Sequence, residues 1–256
     1  MPGPLQIVVI SLANSSRRAR LIPALEAVGL PWSFFDANTK PTDRPYCPQR
    51  ALEIWGRPLT AGEIGAAASH LEVIAACTKG PADSWTLVLE DDVFLDPLFD
   101  YRKVIAMCDD LGLDYLRLYA RAIAPMRHIA WLDQRQLVRF RRSPMGSQAY
   151  LISGRGAALA SPQMPRIDRP IDWELDRFWH NGLPMYALFP FPAIELMSPS
   201  TVSKFPNDPL QPSAAQKVLR IGNRARDYLR RAGANGRLLA RDATLKRRLA
   251  VVDWAF

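Results

Sequence analysis

The chain has 256 residues, of which 48% are hydrophobic and 23% are charged, which is enough apolar material for one sizeable core and excludes wholesale disorder. Its formal net charge is +8, but residues 1–212 carry 22 basic and 22 acidic groups, so no basic groove specific for nucleic acid is expected there. Three cysteines without metal-type spacing, and no apolar run of about 20 residues, exclude a disulfide framework and a membrane span and predict a cytoplasmic protein.

Hydrophobic patterning at the N-terminus predicts a β-α-β unit, which is typical of α/β sheets. Leu5–Leu12 is a continuous apolar run, as expected for a buried parallel strand, and Trp32–Asp36 is a second strand. Between them, Ser15–Val28 has helical spacing and is followed by Gly29, which favours a helix end. The polar, proline-rich residues 37–58 are predicted to form a loop.

A capping box begins the next predicted helix, because Thr60 can accept a hydrogen bond from an exposed N–H while Glu63 reaches back to the cap. This helix is predicted to run to about Lys79. Four further buried strands complete the predicted sheet, at Trp85–Leu89, Tyr115–Tyr119, Gly146–Ser153 and Met185–Phe189. Helices are also predicted after Gly154–Gly156 and over Asp172–Asn181, the latter ended by Gly182, and a proline-rich segment follows at 190–212.

The C-terminal residues 213–256 hold the whole excess of positive charge, with eleven Lys and Arg against three Asp. Apolar residues recur there at helical spacing, at Val218, Ile221, Ala225, Tyr228 and Leu229. They predict a basic amphipathic helix over Ser213–Ala232, a break at Gly233–Gly236, and a second helix over Arg237–Phe256 with Leu238, Leu245, Leu249 and Val252 inward. We therefore expect a catalytic domain over 1–212 and a tail that contacts an anionic membrane surface, the alternative being a tail that packs on the body with a solvated basic face.

Three consecutive carboxylates, Glu90-Asp91-Asp92, follow directly after the buried strand Trp85–Leu89. Ligands of α/β sheets bind beyond the carboxyl ends of the strands, and three buried like charges are costly without a cation. Hard cations such as Mn²⁺ or Mg²⁺ bind carboxylate oxygens and share their remaining positions with substrate phosphates. The triplet therefore predicts a metal and diphosphate site, with a solvated acidic turn as the alternative.

A second group of carboxylates comprises Asp172, Glu174 and Asp176. Asp172 and Asp176 are four residues apart and would share one face of a helix, where a carboxylate could act as general base toward a sugar hydroxyl. The alternative is a helix N-terminus with ordinary acidic residues. Arginines, which match the geometry of phosphate, follow the first predicted strand at positions 17, 18 and 20.

Seven segments stand in a recognisable order: VISLANSSRRARL, FFDA at 34–37, LTAGEIGAAASH at 59–70, LVLEDDVFL at 87–95, LRL at 116–118, GSQAYLIS at 146–153, and IDWELD followed by GLPMYAL. Together they cover about residues 5–205 and resemble glycosyltransferase family 25, the lipooligosaccharide-biosynthesis galactosyltransferases. The resemblance implies a GT-A-like fold, with a Rossmann-type sheet and a DxD-type metal site. It also implies inverting transfer of a hexose, with galactose favoured, from a UDP-sugar to a saccharide of the lipooligosaccharide or lipopolysaccharide core.

The same resemblance implies roles for individual residues. Glu90, Asp91 and Asp92 fall on the motif that contacts the metal, Mn²⁺ or Mg²⁺, and the diphosphate. Asp172 falls on the implied base, with Glu174 in reserve. Further contacts to the donor nucleotide are implied at Ser11, Leu12, Arg18, Asp36, Ala37, Glu63, Ser69, His70 and Arg117.

Three departures from the family pattern leave the substrates open. Ala66–Ala68 occupy a stretch where members often have Cys, Ser11 stands where many have Asn, and Tyr119 stands where many have an acid. Alternatives are therefore a UDP-glucose-dependent glucosyltransferase of the same family, or a non-catalytic protein that binds anionic lipid or nucleic acid. For an enzyme of this family, we expect a lipid-linked acceptor and a peripheral position on the inner face of the cytoplasmic membrane.

Overall fold

The structure, a computed structural model, describes residues 3–39, 44–196 and 210–250. Ten strands are present in these ranges: β1 (Leu5–Ser11), β2 (Trp32–Asp36), β3 (Trp85–Glu90), β4 (Val93–Leu95), β5 (Tyr115–Arg117), β6 (Met126–Leu132), β7 (Arg135–Phe140), β8 (Ala149–Ser153), β9 (Tyr186–Phe189) and β10 (Ala193–Glu195). The helices in the same ranges are α1 (Arg17–Val28), α2 (Pro48–Ile54), α3 (Ala61–Cys77), α4 (Tyr101–Leu111), α5 (Gly154–Ala160), α6 (Ile171–Leu175), α7 (Phe178–Asn181) and α8 (Ala214–Leu249).

Eight of the strands form one mixed sheet in the order β2-β1-β3-β8-β5-β9-β7-β6, and β4 pairs with β10 in a separate antiparallel ribbon. Strand β1 is parallel to both β2 and β3, whereas β8 runs antiparallel between β3 and β5. The expected α/β class is confirmed, and the GT-A-like, Rossmann-type arrangement stays a prediction. The parallel strands read as continuous apolar runs because both faces of the sheet are covered by helices.

Successive residues of β3 alternate between two cores. Leu87 and Leu89 pack with α1, α4 and the end of α8, whereas Val88 packs with α3, α5 and α6 on the opposite face. The sheet therefore lies between two helical layers, with Glu90 at its carboxyl edge.

Two of the predicted boundaries are wrong in this part of the chain. Residues 37–58 are not a simple loop, because α2 begins at Pro48, and proline suits the first turn of a helix where its missing N–H is not needed. The predicted helix over Asp172–Asn181 is two short helices, α6 and α7. The chain turns between them where Asp176 is held by Arg117, and Gly182 ends α7 with a φ of 77° as expected.

The C-terminal segment is one continuous helix, α8, so the predicted break at Gly233–Gly236 is wrong. Glycine disfavours a helix interior by about 1 kcal/mol relative to alanine, but tertiary contacts hold this stretch. Ala234 is buried, and Asn235 exchanges hydrogen bonds with Arg139 and Arg141. Of the four residues predicted to face inward beyond the break, Leu245 and Leu249 are buried and Leu238 is half-buried, while Val252 lies outside the described residues.

Helix α8 packs on the body through different chemistry along its length. Its C-terminal part adds Leu245 and Leu249 to the main core and places Asp242 in a buried ion pair with Arg139. Its N-terminal part faces the body with polar residues, such as Asn223 and Asp227, which bind groups on α2 and around α7. The division into a 1–212 domain and a tail stays a prediction.

The apolar residues that predicted an amphipathic helix point away from the body. We define the outer stripe as Val218, Ile221, Ala225, Tyr228 and Leu229, and all five are exposed, with Val218 and Leu229 each 68% accessible. The surface that α8 shows to solvent is therefore an apolar stripe and not only a basic face. No helix in the described ranges is long and apolar enough to cross a bilayer.

Candidate active site

The carboxyl ends of three parallel strands bring the first predicted residues together. Ser11 at the end of β1 is in register with Asp36 at the end of β2, and Ile10 is in register with Glu90 at the end of β3. Parallel strands that start together also end at the same edge, so the sequence pattern was sufficient to predict this grouping.

Asp91 binds the turn that follows β1. Its carboxylate accepts hydrogen bonds from Ser11 Oγ at 2.6 Å, Ser15 Oγ at 2.8 Å and Arg17 Nη1 at 3.0 Å. The turn itself is closed by the Ser15 N–H, which donates to the Leu12 carbonyl at 2.9 Å. Three donors on one carboxylate fix the first predicted nucleotide segment against the acidic triplet.

Asp92 has one oxygen that is buried and makes no hydrogen bond to any described residue. Its other oxygen lies 3.8 Å from Arg17 Nη1. Burial, and then the negative charges of Glu90 and Glu195, raise the pKa of Asp92 to about 7. Arg17 compensates the negative charge of Asp92 only in part, and a bound cation would relieve the remainder.

Glu90 is stabilised in its charged form. Burial raises the pKa of Glu90, but His70 and a hydrogen bond from Ser147 Oγ, 2.6 Å long, outweigh it and leave the pKa below its ordinary value. His70 Nε2 lies 3.4 Å from Glu90 Oε1, and its Nδ1 is 3.0 Å from the Tyr150 hydroxyl. His70 is 1% exposed, so it contacts the site through Glu90.

Arg18 joins the ends of β1 and β2. Its Nη2 donates to the Ser11 carbonyl at 2.8 Å and pairs with Asp36, and its guanidinium lies 4.6 Å from the centroid of the Phe34 ring. The N–H of Ala37 donates to the same Ser11 carbonyl at 2.8 Å. The predicted nucleoside-contacting residues thus form one patch at the strand edge.

Helix α3 contacts the segment after β2 through Ser69. Ser69 Oγ accepts from the Asn38 N–H at 2.8 Å and donates to the Gly65 carbonyl at 2.7 Å. A Cβ at Gly65 would lie 2.3 Å from the Asn38 carbonyl oxygen, so only glycine allows this approach. Ser69 is buried, and its role in the structure is to position the chain beyond Asp36.

Glu63 forms the predicted capping box. It accepts from the Thr60 N–H at 2.9 Å, and the Glu63 N–H donates to Thr60 Oγ1 at 3.1 Å. Its carboxylate also receives two hydrogen bonds from Arg57, at 2.6 and 2.8 Å. Both oxygens are engaged in holding the start of α3, and a contact from Glu63 to the nucleotide stays a prediction.

Arg117 is paired with Asp176 in the interior, where both side chains are 1% exposed. Its Nη2 donates to the carbonyls of Met145 and Gly146, and the Met145 N–H donates to Asp176 at 3.2 Å. The ion pair therefore fixes the turn before β8. A direct contact from Arg117 to the nucleotide stays a prediction.

Asp172 faces the same turn. It accepts from the Trp173 N–H at 2.8 Å and more weakly from the Gly146 N–H at 3.5 Å, and burial raises the pKa of Asp172. Asp172, in α6, and Asp176, directly after its end, thus contact the same turn. Because Ser147 follows Gly146 and binds Glu90, this turn connects Asp172 to the acidic triplet.

Glu174 points to a different part of the molecule. It pairs with Arg169 at 3.2 Å and with Arg177 at 3.0 Å, and both arginines also pair with Asp227 of α8. This network holds α6 and α7 to the C-terminal helix. The reserve role of Glu174 as a base stays a prediction, but no described contact brings it to the turn at Gly146.

Glu195 belongs to the site but was missed in the sequence. The pairing of β10 with β4 places Glu195 opposite Val93, and its carboxylate accepts from Tyr119 Oη, Arg121 at 3.2 Å and Gln148 at 3.4 Å. It stands in a proline-rich stretch with no strand pattern, so only the tertiary pairing reveals it. Tyr119, one of the departures noted in the sequence, thus donates its hydroxyl hydrogen bond to an acid.

The carboxylates do not form a complete metal cage by themselves. Within residues 3–39, 44–196 and 210–250, no group of three or more His, Cys, Asp or Glu side chains is arranged to hold a metal ion. Asp92 has a buried oxygen without a hydrogen-bond partner in these ranges, whereas Asp91 accepts hydrogen bonds through both oxygens and Glu90 through Oε1.

A known protein family matches the part of the chain that includes this edge. The model of glycosyltransferase family 25 (LPS biosynthesis protein) matches residues 5–172. Among solved structures, A197 from STIV is similar with a TM-score of 0.46 and 12% identity, covering 80% of this chain and 98% of that one. A glycosyltransferase involved in the glycosylation of the major capsid of PBCV-1 has a TM-score of 0.33 and 13% identity, with 60% and 62% covered. Neither likeness is close enough to bear on function, and no curated protein matches.

Proposed function

The chain belongs to glycosyltransferase family 25, and we propose that it transfers a hexose from a UDP-sugar to a saccharide acceptor with inversion of configuration. Galactose is the favoured sugar and glucose the alternative. A GT-A-like arrangement is part of the proposal, with the donor at the edge formed by β1, β2 and β3. The observation that carries it is the buried oxygen of Asp92, which has no hydrogen-bond partner in the described residues and lies at this edge.

The donor nucleotide has a suitable surface beside that oxygen. Arg18 supplies a guanidinium at the end of β1, and Ser11, Leu12, Asp36 and Ala37 supply backbone and side-chain polar groups around it. Arginine binds phosphate through paired N–H donors, and carboxylates bind ribose hydroxyls. In this proposal Ser69 and His70 do not contact the nucleotide directly. Ser69 fixes the chain after Asp36, and His70 positions the carboxylate of Glu90.

A divalent cation, Mn²⁺ or Mg²⁺, fits at Asp92. The pKa of Asp92 is raised by burial and by neighbouring negative charge, which Arg17 offsets only in part, so a cation would relieve the remaining repulsion. Asp91 or Glu90 would assist, and the remaining ligands would be substrate phosphate and water, since such ions share their coordination with phosphates. When bound, the ion neutralises charge that develops on the leaving diphosphate.

Asp172 is the proposed general base. It takes the proton of the acceptor hydroxyl while the hydroxyl oxygen forms its bond to the anomeric carbon. The bond from that carbon to the diphosphate oxygen breaks, and UDP leaves with the bonding electrons, so one displacement inverts the configuration. The raised pKa of Asp172, caused by burial, brings the group closer to the range in which a base is effective, and the Trp173 N–H orients it.

We further propose that the acceptor is lipid-linked and that the outer stripe of α8 rests on an anionic membrane surface. Ile221 and Leu229 are 66% and 68% exposed, and Arg224 and Arg230 lie on the exposed part of the same helix. Apolar side chains insert at the headgroup boundary, and each basic residue near an anionic surface adds about 1 kcal/mol. Attachment of this kind would hold the enzyme beside acceptors that are built on lipid.

The membrane proposal is tested by co-sedimentation with vesicles that contain anionic lipid. The variant Ile221→Ser/Leu229→Ser should lose most of its binding, because it removes apolar area without changing charge. Leu98→Ser is the matched control, since Leu98 is 92% exposed on the loop before α4. Equal binding of wild type and the stripe variant would exclude the stripe as the contact surface.

The catalytic proposal is tested by a donor screen with Mn²⁺ in which UDP release is measured from UDP-galactose, UDP-glucose and their N-acetyl forms. Uncoupled hydrolysis allows the donor to be identified before the acceptor is known. We expect release to be fastest with UDP-galactose. Fastest release with UDP-glucose would support the alternative sugar, and absence of UDP release and of UDP binding would contradict the donor class.

A further inference from the structure

A cavity of about 460 Å³ lies between α8 and the segments that flank β6 and β7. Helix α8 contributes Tyr228, Arg231 and Asn235 to its wall, and the body contributes Pro125 and the pair Arg141-Arg142. It lies apart from the acidic triplet: none of Glu90, Asp91 or Asp92 lines it. The catalytic proposal gives this cavity no role.

The cavity wall carries three positive charges and no carboxylate. Arg141, Arg142 and Arg231 line it, and none of the three forms an ion pair within 4.0 Å in the described part of the chain. Burial, followed by the neighbouring charge of Arg142, lowers the pKa of Arg231. Basic side chains that face one another in this way are stabilised by an anion between them.

Part of the cavity wall is held in place by contacts within the protein. The Arg231 guanidinium lies 5.6 Å from the centroid of the Tyr228 ring and 5.7 Å from that of Trp179, within cation–π distance of both rings. Asn235 donates to the Arg141 carbonyl at 3.1 Å and accepts from the buried Arg139 at 2.7 Å. Arg231 and the backbone at Arg141 therefore lose little freedom when a ligand binds.

The cavity also borders the outer stripe. Tyr228 belongs to both, and Leu239, 46% exposed, continues the apolar surface along the cavity rim. A molecule with a phosphate in the cavity would therefore have apolar protein surface next to it. That combination fits a phospholipid, whose phosphate and acyl chains are adjacent.

We propose that this cavity binds the phosphate group of an anionic lipid headgroup while the outer stripe of α8 rests on the bilayer. The inference depends on the membrane attachment proposed above and gives it a specific contact. Arg142 and Arg231 bind the phosphate oxygens through paired N–H donors, and Tyr228 packs at the boundary with the acyl chains. A free phosphate ion has the same anionic chemistry, so the test separates the two sources.

The test measures binding of full-length protein to phosphatidylcholine vesicles that contain either phosphatidic acid or, at matched surface charge, phosphatidylserine. Wild type should prefer phosphatidic acid, whose phosphate is a monoester. Arg142→Ala and Arg231→Ala should each weaken binding to phosphatidic acid about tenfold, and Arg142→Lys should recover only part of it, because lysine keeps the charge but loses the paired donors. Lys79→Ala, which removes one charge just beyond the end of α3, is the matched control and should change binding less than about twofold.

Each further outcome has a definite meaning. Equal losses for Arg142→Ala and Lys79→Ala, or no loss for either arginine variant, would overturn the cavity site. Stabilisation of the protein by millimolar inorganic phosphate that equals stabilisation by short-chain phosphatidic acid, measured by thermal melting without vesicles, would overturn the lipid source. Wild type that binds no vesicle contradicts the membrane proposal itself. UDP release should stay at the wild-type level in all these variants, which separates this inference from the catalytic one.

Discussion

Replacing Asp92 with asparagine should make the protein more stable at alkaline pH. In the folded protein, burial and the charges of Glu90 and Glu195 raise the pKa of the Asp92 carboxyl group to about 7, against an ordinary value of 3.8 in the unfolded chain. Because the folded state holds the proton more tightly, ionisation of Asp92 destabilises the fold as the pH rises from about 4 to about 7 and then levels off. Asparagine removes that cost.

The magnitude follows from the two pKa values. Their difference corresponds to an upper limit of about 4 kcal/mol at pH 8. The asparagine amide would still lack hydrogen-bond partners, which costs about 1–2 kcal/mol, so the net gain in the free energy of unfolding is about 2–3 kcal/mol. For a chain of this size that raises Tm by roughly 4–10 °C.

The assay is thermal melting followed by circular dichroism at pH 5 and pH 8, with chelator present to remove divalent ions. Asp92→Asn should exceed wild type clearly at pH 8 and by less than half as much at pH 5. Asp133→Asn is the matched control, because Asp133 is exposed in the β6–β7 turn at a φ of 56°, which asparagine tolerates. An Asp92→Asn variant that melts at or below wild type at pH 8 would refute the reasoning.

Three other variants separate chemistry from structure. Asp172→Asn should abolish transfer and leave the affinity for UDP, measured by calorimetry, nearly unchanged; retained transfer would remove Asp172 from the base role. Glu174→Gln should keep measurable transfer at lower stability, and its inactivity in a folded protein would instead favour Glu174 as the base. Asp242→Asn leaves Arg139 buried without its partner and should cost about 3–5 kcal/mol of folding free energy in a denaturant titration.

The control for Asp242→Asn is Asp110→Asn, since Asp110 forms a surface ion pair with Arg248 and is half exposed. Such pairs contribute at most about 1 kcal/mol. A comparable loss of stability in the two variants would mean that the Arg139–Asp242 pair does not anchor α8.

The strand edge was predictable because its signals are local. The apolar run of β1, the run of β3 and the acidic triplet are each contiguous, and parallel strands bring their ends together without further information. The capping box at Thr60 and Glu63 was readable for the same reason, since its two hydrogen bonds join residues three positions apart.

Other features depend on contacts between distant residues and could not be read from the chain. Glu195 reaches the site through a strand pair with β4, and Arg117 is occupied by Asp176, 59 positions away. Helix α8 continues through Gly233–Gly236 because the body binds Asn235 and Asp242. Its helical periodicity was apparent, but periodicity does not say which face is turned toward the body, and here the polar residues of its first half are inward.

The most direct test of a donor site at the acidic triplet is Mn²⁺-dependent UDP release from UDP-galactose by wild type, Asp92→Asn and Asp133→Asn, each shown by circular dichroism to be folded. Wild type and Asp133→Asn should release UDP at similar rates, and the rate should fall when Mn²⁺ is chelated. Asp92→Asn should lose about 100-fold or more, as expected when a group that binds the catalytic ion is removed. Near wild-type release by Asp92→Asn in the presence of Mn²⁺ would contradict the placement of the metal and diphosphate at this edge.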